Sequence, residues 1–203
     1  MSELGLFPLG LVLLPTERVP LHVFEERYRE LIGECLERDE EFGLVYAEED
    51  GISDVGTRAA VVEVLERFPD GRLNVLVEGR RRFRLLELTR GRSFHTGRVE
   101  PLEDVPDPPD EAVVERALEL FRTLREVAES TVEVPEADDP QLSFALAGRV
   151  ELAVEAKLEL LAEQSEAVRL RRVVELLEGA LTVLQRRRLA AERASGNGRV
   201  QLG

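Results

Sequence analysis

The hydrophobic pattern of this chain changes period once, and the change falls on a proline cluster, Val105-Pro-Asp-Pro-Pro109. Three prolines in five residues remove backbone donors and fix φ, so neither a strand nor a helix runs through them. The segment reads as a semi-rigid spacer. Before it, apolar residues alternate or form short blocks. After it, they recur every three or four residues. Such a chain is expected to fold as α+β, with strands and helices segregated along the sequence rather than alternating. The pattern places a β-rich unit at 1–105, a helical unit at 110–193 and a flexible tail at 194–203.

In the first unit Leu4 to Leu14 is apolar, interrupted by Pro8 and closed by Pro15. Val19 to Val23 carries Pro20 and suits the edge of a sheet. Tyr28, Leu31, Ile32, Cys35 and Leu36 then step by three and four, which predicts one amphipathic helix to about Arg38. Phe42 to Ala47 returns to strand composition, and Asp50 to Gly56 reads as a polar loop. Pro69-Asp-Gly71 predicts a hairpin turn between a Val-rich strand and the alternating Leu73, Val75 and Val77, with Gly79 at a bend. Phe83 and Leu85 mark a further strand, and Ser93 to Leu102 another. Sequential strands with tight turns and one inserted helix suggest a small, partly open β-barrel.

In the second unit Val114, Ala117, Leu118, Phe121, Leu124 and Ala128 form one helical stripe. Asp139-Pro140 reads as the start of a helix running to Leu161, and Ser165 as the cap of a last helix carrying Leu170, Val173, Leu177, Leu181 and Leu184. Three helices with short links predict an antiparallel bundle.

Charge and rare residues limit the chemistry. The chain has 41 acids against 27 bases, a net charge of −14, which repels phosphate backbones and argues against a general nucleic-acid binder. Lys157 is the single Lys, so there is no P-loop, and it lies mid-helix at the edge of an apolar face, where a stem packed along that face explains it. His22, His95 and Cys35 lack metal-site spacing, so no metal and no cofactor is expected. Cys35 on the apolar stripe reads as core, and one Cys fits a reducing, cytoplasmic setting. No apolar run approaches the ~20 residues of a membrane span, and Met1-Ser2-Glu3 has no basic leader. Glu17–Asp54 carries a net charge of −9 and Arg80–Arg98 a net charge of +6. The Arg stretch is open to three readings: a solvated face, a partner for the acidic helix within the fold or across a dimer, or an anion-binding surface using Arg80, Arg82 and Arg92.

Phe7-Pro-Leu9, Leu13-Leu-Pro15, Pro20-Leu-His-Val-Phe-Glu-Glu-Arg-Tyr-Arg29, Phe42-Gly43, Val55-Gly-Thr57, Pro69-Asp-Gly-Arg72 and Val77-Glu-Gly-Arg-Arg-Arg-Phe-Arg84 occur in this order. With them the chain resembles the N-terminal, substrate-binding domain of Lon proteases. In full-length Lon an ATPase and a Ser–Lys peptidase follow, whereas this sequence ends at Gly203, so it resembles the stand-alone bacterial form. The resemblance implies a PUA-like pseudo-barrel followed by a helical bundle, and no enzyme activity. It also implies binding of unfolded or apolar-rich polypeptides, with a protease or chaperone as partner. The expected contact residues are Leu21, Phe24 and Tyr28, with Glu26 and Arg27 at the rim. The alternatives are RNA binding through the Arg stretch, since PUA-like barrels elsewhere bind RNA, and a homodimer formed through the last helix.

Overall fold

The computed structural model describes residues 2–48 and 51–196. Among them, six strands and five helices follow in the order β1 (Ser2–Leu9), β2 (Arg18–Val23), α1 (Glu26–Arg38), β3 (Phe42–Glu48), β4 (Gly51–Arg67), β5 (Leu73–Thr89), β6 (His95–Pro101), α2 (Glu111–Val127), α3 (Leu142–Ala147), α4 (Val154–Ala162) and α5 (Glu166–Gly196). The expected α+β segregation holds.

β1 pairs in parallel with β3, and the antiparallel pairs β3–β4, β4–β5, β5–β6 and β6–β1 complete a closed ring of five strands. Leu4, Leu6, Val45, Phe83 and Val99 fill one core within it. β2 stands outside the ring against the first half of β5, at the end of the sheet, where Pro20 costs no ladder bond to a further strand. The stripe of α1 covers the same region: Tyr28, Leu31, Ile32 and Cys35 pack with Leu21, Val23, Leu73, Val75 and Val77. The Pro69–Gly71 turn forms as expected, with Gly71 at φ +86° and the Asp70 carboxylate accepting the Arg72 N–H at 3.2 Å.

β5 is one 17-residue strand rather than two, bent at Gly79. The connection from β1 to β2 lies directly across that bend. The Thr16 N–H donates to the Gly79 carbonyl, and the Gly79 N–H donates to the Glu17 carbonyl, each at 2.9 Å. A Cβ on Gly79 would sit 2.1 Å from the Leu14 carbonyl oxygen, so the crossing admits only glycine. The expected loop at 50–56 is instead the start of β4: Gly51 and Ile52 pair with Glu48 and Ala47 of β3. Its polar composition reflects the pairing partner supplied by the fold, not a lack of regular structure. Asp50 lies outside the described residues.

The helical half departs further from expectation. The helix foreseen over 142–161 is two helices, α3 and α4, separated by residues 148–153, so four helices follow the spacer. Gly148 ends α3 with its N–H on the Phe144 carbonyl at 2.8 Å, and it packs 3.1 Å from the Glu17 Cβ, measured from an ideal Cβ on the glycine. Asp139 does not cap α3; its carboxylate accepts the Gln141 N–H at 2.8 Å, one turn earlier. Ser165 does cap α5, accepting the Val168 N–H at 3.0 Å. α2 and α5 run side by side in the same direction, not antiparallel. Arg116 bonds Glu178 at 2.9 Å, and further along both helices Leu124 and Leu184 line one groove. α3 runs the same way as α5, from Ser143 beside Glu166 to the 148–151 turn beside Leu184, and α4 leads back to Ser165 at the start of α5. The helix α5 extends to Gly196, so residues 194–196 of the expected tail are helical; residues 197–203 lie outside the described residues.

Val12, Leu14, Val55 and Leu102 of the strand half share one apolar cluster with Phe121, Phe144, Leu160 and Leu170 of the helices. A buried polar network crosses the same boundary. Arg82 of β5 donates to the Leu161 and Glu163 carbonyls at 2.6 Å and to Asp104, which precedes the spacer. Arg169 of α5 is fully buried over the Phe144 ring and binds Asp104 with both terminal nitrogens, at 2.9 and 2.6 Å.

Candidate functional site

The residues foreseen as a contact surface divide sharply. Leu21 is buried in the α1 core. Tyr28 is buried too, its ring stacked on Phe7 at 4.1 Å, and burial raises its phenol pKa. Neither presents surface to a ligand. Both lie on apolar faces that the sheet and helix need for each other, which is the physical reason for the correction. Arg27 does not reach Glu30 or Glu34; it pairs with Glu25 at 2.8 Å and lies 4.5 Å over the Tyr28 ring. Glu26 is exposed in the first turn of α1. Phe24 is different: it is 60% exposed. It sits just beyond the end of β2, stacked on His22 at 5.9 Å, and His22 meets the edge of Phe68 at 6.0 Å. Arg72 lies 5.0 Å over Phe68. Of the eight Phe residues, Phe24 alone is exposed and Phe68 half-buried, the other six being in cores. The result is a small aromatic patch between the end of β2 and the β4–β5 turn.

The Arg stretch is largely engaged within the fold. Arg80 pairs with Glu78 at 2.7 Å. Arg82 is buried in the network with Asp104, and desolvation lowers its pKa. Arg92 reaches Glu34 and Glu30 on α1 and covers Phe94 at 4.6 Å. Within one chain Arg92 of the positive stretch thus meets the acidic helix, in line with one of the three readings. No geometry here favours RNA over the others.

Groups that would serve chemistry are committed to structure. The Lys157 ammonium bonds Glu17 at 2.5 Å and the Val12 carbonyl at 3.4 Å, and Glu17 in turn accepts the Leu14 N–H at 2.9 Å. The Cys35 thiol is buried, and its desolvation pushes its pKa up to about 11. His22 shares a 2.6 Å hydrogen bond with Asn74, and His95 lies 3.4 Å from Arg27. No group of His, Cys, Asp and Glu able to hold a metal occurs among the described residues. No described helix is long and apolar enough to cross a membrane.

Two grooves not foreseen from the sequence flank the 148–151 turn. One, about 870 Å³, runs between the β1–β2 connection and that turn and is walled by charged groups including Glu17, Arg18, Glu78 and Lys157. The other, about 670 Å³, lies between α2 and α5 on an apolar floor. Val132, Arg149, Val150 and Glu151 line both. These residues come from segments far apart in sequence, so no local pattern announces them. The one local signal was Gly148, which stops a helix inside an otherwise continuous periodic stripe.

Comparison with known proteins follows the same outline. Residues 3–179 match the family described as ATP-dependent protease La (LON) substrate-binding domain. A Lon protease of Anaeromyxobacter dehalogenans is 30% identical over 202 residues, covering 91% of this chain and 24% of that protein. A Lon protease of Parabacteroides distasonis is 33% identical over 142 residues, covering 63% of this chain and 17% of that protein. The chain therefore spans a quarter or less of the length of these relatives. Among solved structures, the Lon N-terminal domain protein from Xanthomonas campestris superposes with a TM-score of 0.69 at 28% identity, covering 86% of this chain and 98% of that one. The N-terminal domain of the Mycobacterium avium complex Lon protease gives a TM-score of 0.67 at 19% identity, covering 87% of this chain and 98% of that one, a likeness of fold. With the match running through both the strand ring and the helices, this chain belongs to the Lon substrate-binding domain family.

Proposed function

We propose that this protein binds exposed apolar segments of unfolded or damaged polypeptides without cleaving them, and does so in the cytoplasm. The observation that carries the reading is Phe24, held 60% exposed beside His22 and the half-buried Phe68 in a chain whose other six Phe side chains are buried. An exposed aromatic group costs solubility unless it meets a partner, and charged neighbours such as Glu26 and Arg72 limit self-association. Family membership supports the same class of ligand. The engagement of Lys157 by Glu17 supports a role for that residue in the fold rather than in catalysis. In this reading the strand ring is a PUA-like pseudo-barrel spanning 1–105, the helices of 110–193 buttress it, and a protease or chaperone receives the captured chain.

Fluorescence anisotropy with a reduced, alkylated and labelled globular protein tests the proposal, the native form of the same protein serving as control. Wild type is expected to bind the unfolded form alone. Phe24→Ala should weaken that binding about tenfold, the weight of one aromatic anchor, with its thermal midpoint unchanged. Equal binding by wild type and Phe24→Ala, or no binding by wild type, overturns it.

A further inference from the structure

The groove between α2 and α5 carries charges opposite to the rest of the molecule. Its floor is apolar, with Phe121 buried, Leu124, Val150 and Leu184 half-buried, and Val183 49% exposed. Its rim holds three arginines, Arg125, Arg149 and Arg187, against one acid, Glu151. None of these arginines has an ion pair among the described residues. Arg125 reaches only the Val132 carbonyl, at 3.5 Å, and Arg149 donates to the Ala145 carbonyl, both neutral acceptors. On the same two helices Arg116 and Arg172 are by contrast matched to carboxylates, Arg116 with Glu178 and Arg172 with Glu159 and Glu175. In a chain of net charge −14, a rim of unneutralised arginine around bare apolar side chains marks a surface built for an acidic partner.

We infer that this groove docks an acidic amphipathic helix of another polypeptide. The apolar face of that helix would lie between α2 and α5, with its Asp and Glu side chains on Arg125, Arg149 and Arg187. α2 and α5 run side by side, so a third helix laid on both completes a ridge-and-groove contact that they leave open. The site is separate from the Phe24 patch. It differs also in selectivity, since the charges rather than the apolar floor choose the ligand.

The test uses two labelled helical peptides with identical Leu spacing, one flanked by Glu and the other by Lys, titrated with the full chain. The Glu peptide should bind about tenfold more tightly, the combined weight of three partly exposed ion pairs, despite the negative charge of the protein. The double variant Arg149→Glu/Arg187→Glu, whose side chains are exposed, should reverse that order while its circular dichroism stays that of wild type. Phe24→Ala should leave it unchanged. Equal affinities, tighter binding of the Lys peptide, no binding of either, or a preference that survives the double reversal overturns the inference. Loss of unfolded-protein binding in Phe24→Ala alone bears on the aromatic patch and not on this groove.

Discussion

Replacing Asp104 with Asn tests what fastens the helices to the strand ring. Asp104 lies between β6 and the proline spacer, and its side chain is 29% exposed. It accepts two bonds from Arg169, at 2.9 and 2.6 Å, and one from Arg82. The Arg169 side chain is 0% exposed and that of Arg82 4%. The second carboxylate is Glu166, 2.5 Å from Arg169, which also accepts the Ser143 N–H at 2.8 Å. Two buried cations thus face two carboxylates, and the set is neutral. Asp104→Asn keeps the shape but leaves one positive charge without compensation. Removing one partner of a fully buried pair costs ~3–5 kcal/mol. Water reaches part of Asp104, so about 3 kcal/mol is expected, from a total stability on the order of 5–15 kcal/mol. For a chain of this size that lowers the thermal midpoint by about 6–12 °C. Far-ultraviolet circular dichroism on heating, with a urea titration for ΔG, measures it. Glu175→Gln is the control, since that carboxylate is 65% exposed in its pair with Arg172 and should shift the midpoint by less than about 2 °C. Adding Arg82→Met to Asp104→Asn should recover part of the loss, because the uncompensated charge is then gone. A midpoint for Asp104→Asn within error of the Glu175→Gln control would refute the argument.

Gly79→Ala should be among the most damaging single changes, at about 2–4 kcal/mol by urea titration, because backbone of the β1–β2 connection occupies the space of the new methyl group. The same substitution at Gly179, where nothing lies within 4 Å, should instead be neutral or stabilising. Cys35 predicts a pH effect of definite sign. Its folded pKa of about 11 lies above the ordinary 9.0, so between those values the folded protein holds a proton that the unfolded chain has released. Stability should fall as pH rises from about 9 to about 11, and Cys35→Ala should remove that component. Iodoacetamide labelling at pH 8 should be slow in the native protein and fast in urea.

The segregation of strands from helices, the position of the proline cluster between them and the buried stripe of α1 were legible because each depends on neighbours within one turn or one strand. Tyr28, Leu31, Ile32 and Cys35 face a core wherever the helix lies. The Pro69–Gly71 turn and the Ser165 cap are local in the same sense, being closed by bonds spanning two or three residues. The recognised family motifs followed this logic too: most of them, Pro20, Gly79 and Arg82 among them, build the fold. The expected contact residues differ in burial, which the sequence does not show. Periodicity identifies the apolar residues of Leu21, Phe24 and Tyr28 but not which of them a neighbouring element covers. That depends on the tertiary packing of α1 on the sheet, which buries two and leaves Phe24 outside.

What the sequence determined alone is the segregation of strands from helices, the turn chemistry, and the family. These follow from composition and spacing at short range. The tertiary structure decided how the strands close into a ring, that β5 is one strand bent at Gly79, and that α2 and α5 run in the same direction. It also decided the fate of the charges. Arg80, Arg82 and Arg92 look alike in sequence, yet one pairs at the surface, one is buried against Asp104 and one joins α1. Three arginines without an ion pair among the described residues, Arg125, Arg149 and Arg187, line a groove assembled from α2, α5 and the turn at 148–151. A charge is satisfied or left open by what lies within about 4 Å of it in space, and Lys157 and Glu17, 140 positions apart, meet at that range here.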